Sequence, residues 1–67
     1  MYTILELQTS NGQTDANVEH RQSKDEALSE YYKILAQAAI STVQYHAAVV
    51  MDERGQYLAR ECYTHIN

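Results

Sequence analysis

Sixty-seven residues, a single cysteine and a net charge of −4 leave room for one domain, residues 1–67, and exclude a disulfide within the chain. A domain of about this size buries only about 60% of the surface its unfolded chain exposes, so a second copy is an expected source of further cover. The five basic residues form no stripe, which disfavours binding to a phosphate backbone, and no apolar run approaches the roughly 18 residues of a membrane span. With no signal-peptide pattern, the lone thiol suggests a reducing, cytoplasmic setting.

Tyr2 to Ser10 alternates, with Thr3, Leu5, Leu7 and Thr9 on one side and Tyr2, Ile4, Glu6 and Gln8 on the other. Asn11-Gly12 follows, the dipeptide suited to a type I′ hairpin turn. A two-residue loop pairs Leu7 with Ala16 and Leu5 with Val18, gathering these four on one face. Glu6, Gln8, Asp15, Asn17 and Glu19 fall on the other, which is expected to face water. The segment 13–21 has poor strand propensity, and a shorter βαββ order without it is the alternative.

Ser23-Lys24-Asp25-Glu26 is a capping box that starts a helix. Leu28, Tyr31, Tyr32, Leu35, Ala38 and Ala39 recur at helical spacing as an apolar stripe, widened by Ala27 and Ile34. The helix should end near Ile40 or Ser41, with a strand starting at Thr42 or Val43.

Asp52-Glu53-Arg54-Gly55 fits a type I turn closed by a glycine bulge. Counting back from it pairs Met51 with Tyr57, Val49 with Ala59, Ala47 with Glu61 and Tyr45 with Tyr63. That set should face the helix, with Tyr31 and Tyr45 in the core. The reverse face then pairs Val50 with Leu58, Ala48 with Arg60 and His46 with Cys62. The expected class is α+β, ββαββ, with one helix on an antiparallel sheet. One helix covers one face of a sheet, so Val50, Leu58, Ala48 and Cys62 are expected to form a homo-oligomer interface.

His46 and Cys62 as cross-strand neighbours could supply half of a zinc site, completed by a second copy. A packed thiol beside a surface histidine is the plainer reading, and no metal or cofactor is expected. Nothing else suggests catalysis. Glu61 on the helix side is out of place unless its edge position reaches water. Tyr57, Arg60 and Tyr63, with His46 and Glu61, are the candidate ligand- or partner-binding residues, because tyrosine offers apolar area with a hydroxyl. Glu19, Asp25, Glu26 and Glu30 could meet a basic partner.

The run Asp25-Glu26-Ala27, Tyr32, Ile34-Leu35-Ala36, Ala38-Ala39, Ser41, Val43, His46-Ala47-Ala48-Val49-Val50-Met51, Gly55 and Glu61-Cys62-Tyr63-Thr64-His65 resembles a group of very small uncharacterised proteins. They are encoded by bacteriophages and prophages of Gram-positive bacteria. The resemblance covers residues 23 to 65, and Lys33 stands where the group more often has histidine. It carries no activity and no functional residue. It implies an accessory binding protein of the host cytoplasm that inhibits a host defence system, by occupying a host protein or by sequestering a nucleotide-like signal. A structural role in virion assembly is the alternative.

Overall fold

A computed structural model describes residues 1–65. The element order is ββαββ: β1 (Tyr2–Ser10), β2 (Gln13–Arg21), α1 (Lys24–Ile40), β3 (Tyr45–Met51) and β4 (Tyr57–Thr64). The four strands form one antiparallel-paired sheet in the order β2-β1-β3-β4. The segment 13–21 is therefore a strand, and the shorter βαββ order is set aside. Its weak propensity is offset by the turn: Asn11 and Gly12 both have positive φ, at 54° and 78°, as a type I′ turn demands. The register follows from it, pairing Leu7 with Ala16 and Leu5 with Val18.

The helix begins as the capping box directs. Ser23 Oγ accepts from the Glu26 amide at 3.1 Å. The same hydroxyl donates to Glu26 Oε1 at 3.0 Å, so the carboxylate takes the Ser23 side chain rather than its amide. The last turn closes with the Ser41 N–H on the Ala38 carbonyl. Residues 42–44 are a connection, and β3 starts at Tyr45, later than Thr42 or Val43.

Ala27, Tyr31, Ile34 and Ala38 are the buried helix positions, spaced four, three and four residues apart. The stripe is rotated from its expected centre: Leu28 and Leu35 are half-buried, while Tyr32 and Ala39 face solvent. Beneath the helix lie Ile4, Ala48 and Val50, with Tyr2 and Ala59 at the margin.

This placement reverses the expected assignment of faces. The helix covers the side of β1 that carries Ile4, Glu6 and Gln8, not the side of Leu5 and Leu7. The cause is topological. Strands β2 and β3 run parallel with β1 between them, so α1 is a crossover connection, and such connections are right-handed in nearly all proteins. For an L-chain whose β1 and β2 meet at a two-residue turn, a right-handed crossover lands on the even-numbered side of β1. Hand of connection outweighs apolarity here.

The second hairpin turns where expected. Gly55 has φ 80°, its amide reaches the Asp52 carbonyl at 3.0 Å, and the Asp52 amide reaches Gln56 O at 3.0 Å. Asp52 Oδ1 also accepts from the Arg54 and Gln56 amides. Met51 pairs with Tyr57 as anticipated, but Val50 then pairs with Ala59, leaving Leu58 as the extra residue of a bulge. Beyond it every pair is displaced by one: Val49 with Arg60, Ala48 with Glu61, Ala47 with Cys62, His46 with Tyr63. One extra residue flips β3 relative to β4. Val50 and Ala48 consequently lie fully buried under the helix, and neither can belong to an exposed interface. Tyr45 is partly exposed at the sheet end rather than in the core.

Candidate functional site

The face away from the helix is a grid of four rows across β2, β1, β3 and β4. One central row reads Ala16, Leu7, Ala47, Cys62, and the other Val18, Leu5, Val49, Arg60. The flanking rows are Thr14, Thr9, Tyr45, Thr64 at one end and His20, Thr3, Met51, Tyr57 at the other. Apolar side chains occupy the centre, and hydroxyl, imidazole and guanidinium groups the margin, which is the layout of an interface. Thr9 and Thr14 share a hydroxyl hydrogen bond of 2.8 Å, and Thr3 meets His20 Nδ1 at 3.3 Å. Val18 stays 54% exposed.

Charge is segregated with equal sharpness. All nine carboxylates lie on the helix, in the Asp52 turn or on the helix-side face of the sheet. Among the described residues the open face has none. Its one guanidinium, Arg60, has its carbon 4.9 Å from the centroid of the Tyr57 ring.

The expected site residues therefore divide. Tyr57, Arg60 and Cys62 share the open face. Tyr63, Glu61 and His46 belong to the helix side, and Leu58 sits in the bulge, 38% exposed. Glu61 faces the helix side as expected and reaches water at the edge strand, where it accepts from the Cys62 amide at 3.3 Å. His46 and Cys62 are on opposite faces rather than opposite each other, because the bulge at Leu58 moves Cys62 to Ala47. That separation removes the shared zinc site. Among the described residues no group of three or more His, Cys, Asp or Glu is placed to hold a metal ion.

His46 is not a surface histidine. It is 4% exposed, and its Nε2 lies 2.6 Å from Glu6 Oε2, where an acceptor-only carboxylate requires Nε2–H to donate. Gln8 Nε2 and Asn17 Nδ2 also donate to Glu6, at 3.3 and 3.4 Å. His46 Nδ1 is buried with no partner among the described residues. The alternation of Glu6 with Ile4 placed both on one face, but the register that brings Glu6 to His46 depends on β1 pairing with β3, which no local pattern announces.

Glu6 also lines a groove of about 350 Å³ left where the helix does not reach over β2, with Asn17, Glu19, Glu30, Lys33 and Gln37. Arg21, at the end of β2, lies 3.7 Å from Glu19 and 3.5 Å from Glu30. At the other end of the helix His65 Nε2–H donates to the Ala38 carbonyl at 2.8 Å, joining the Ser41 N–H on that oxygen in a last turn with no basic side chain of its own. The His65 ring stacks on Tyr63, with centroids 6.5 Å apart. Burial pushes the Tyr31 hydroxyl above the usual phenol range, with Glu61, Tyr32 and Tyr63 adding to the rise.

No helix among the described residues is long and apolar enough to cross a membrane. Comparison with protein families, with curated proteins and with solved structures gives no match.

Proposed function

We propose that this chain is a homo-oligomeric binding protein that acts by occupancy and not by turnover. Copies meet through the open sheet face, and the helix surface turns outward toward a partner. The observation that carries this reading is the open face itself, apolar at its centre and free of carboxylate in a chain of net charge −4. Such a surface is unfavourable in water and unsuited to a basic or polar ligand.

Once that face is covered, the outward side of the helix presents Asp25 and Glu26 in its first turn, with Glu30 half-buried beside Arg21 and Tyr32 standing 60% exposed near the Asp25 edge. Exposed acids and an exposed aromatic on one helix suit a basic protein surface. The resemblance to phage and prophage proteins makes a host defence component the natural partner, with the protein as its inhibitor in the host cytoplasm.

Three measurements test this. Sedimentation of the purified protein across a wide concentration range should give a species larger than one chain. A pulldown from host lysate should retain a basic host protein with the wild type and lose it with Glu26→Lys/Glu30→Lys. A folded monomer at millimolar concentration overturns the assembly. Thermal shift against a nucleotide panel covers the other expected ligand: stabilisation that is lost with Arg60→Ala would replace the protein partner by a small anion held at Tyr57 and Arg60.

A further inference from the structure

We infer that two copies pack open face to open face about a two-fold axis that runs along the strands, so that β4 of each copy lies over β2 of the other. This rests on the assembly proposed above and specifies its geometry.

The size of the face suits a second copy. The subunit measures 37 × 20 × 15 Å, and the open sheet is its broad side. A face of up to 37 by 20 Å is close to the roughly 800 Å² per partner of a standard interface. A self-match also explains the missing carboxylates, since an apolar centre copied onto itself tolerates no buried acid.

Two in-plane axes are possible, and the side chains choose between them. An axis across the strands stacks each column on itself. Leu7 then meets Leu5, Ala47 meets Val49, and the two Arg60 side chains come within about two residues of each other, roughly 7 Å along one strand. Large meets large, small meets small, and like charges crowd. An axis along the strands reverses the column order within each row. Leu7 then meets Ala47, Leu5 meets Val49, and Ala16 meets Cys62. Large side chains fill the space over smaller ones, as interdigitated sheets require. The two Arg60 groups lie on opposite borders, about three strand spacings or 14 Å apart. Each guanidinium sits over Val18 at the partner's β2 border, where it reaches solvent past the sheet edge. Shape and charge thus favour the same axis.

Cysteine cross-linking reads the axis directly. Ala16 is exposed and Cys62 is the free thiol of the chain, and within one subunit they lie on opposite edge strands. Stacked sheets cross at about 30°, which displaces the outer strands by about a residue, so a short bis-maleimide is the probe rather than a direct disulfide. Ala16→Cys with native Cys62 should give mostly covalent dimer. Wild type, whose two Cys62 are far apart, and Ala16→Cys/Cys62→Ser should each give under a tenth of that yield. Circular dichroism of Ala16→Cys confirms its fold. A dimer in which wild type cross-links as well as Ala16→Cys overturns the axis but leaves the assembly. A dimer in which Ala16→Cys fails to cross-link does the same. A monomer by sedimentation overturns both.

Discussion

The two faces of this sheet invert the usual arrangement. The side under the helix holds Glu6, Gln8, Asn17, Glu19, Glu61 and His46 beside a small core of Ile4, Ala48 and Val50. The side toward solvent holds Leu5, Leu7, Val18, Ala47 and Val49. Burial of apolar area alone would place the helix over the second set. The hand of the β2-α1-β3 crossover decides otherwise, and the acids under the helix are accommodated in two ways. Those on the outer strands reach water, and Glu6 gathers His46, Gln8 and Asn17 around it. The lesson is that in a very small fold connectivity can assign the faces, and the residue left uncovered then identifies what the surface is for.

Neighbouring valines give the harshest test of this contrast. Val50→Asp puts a charge in a position with no solvent access, and the chain should lose its cooperative fold by circular dichroism. Val49→Asp, one residue away, should keep the fold while shifting sedimentation to the single subunit. If Val49→Asp unfolds the chain and Val50→Asp does not, the faces have been assigned backwards.

The polar cluster under the helix provides the next. Glu6→Ala leaves the buried His46 imidazole without its acceptor, a loss of about 1–3 kcal/mol by urea unfolding. Replacing His46 and Glu6 together, by Leu and Gln, should recover part of it, because no buried donor is then left unpaired.

Ser23→Ala touches neither face. It removes the oxygen that receives the Glu26 amide and should cost about 1 kcal/mol without altering assembly.

The smallest effect belongs to alkaline pH. Burial, then Glu61, Tyr32 and Tyr63, hold the Tyr31 hydroxyl in its neutral form above the usual phenol range. The folded state therefore binds that proton more tightly than the unfolded chain. Stability from this group is complete below the unfolded pKa near 10 and declines as pH rises through the folded value. Tyr31→Phe should flatten that decline, as followed by thermal unfolding between neutral pH and strong alkali.

Local chemistry was legible from the chain alone. The Asn11-Gly12 turn, the Ser23 cap, the end of the helix at Ile40 and the Asp52 turn all follow from residues within a few positions of one another. So does the face shared by Leu5, Leu7, Ala16 and Val18. What a sequence pattern could not supply were two decisions taken at long range. One is the side on which the helix lands, which follows from strand order and chirality. The other is the bulge at Leu58, a single residue whose insertion exchanges Ala47 and Val49 for Ala48 and Val50 under the helix. Both faces of the second hairpin carry apolar residues, but not the ones the regular register assigns to each. The ligand set built on the regular register does not hold together, since Tyr57 and Arg60 part from Tyr63, Glu61 and His46.

The Leu58 bulge has a consequence beyond register. Both lateral strands of an open sheet expose unused amide and carbonyl groups, an invitation to endless strand-by-strand growth. β4 answers with the bulge at Leu58, a device that bends and twists an edge, and β2 answers with Asp15, Glu19 and Arg21 along its length. Straightening β4 by deleting Leu58 preserves every cross-strand pair yet removes that protection. The shortened chain should fold and then thicken into thioflavin-positive fibrils on ageing, where the parent stays clear.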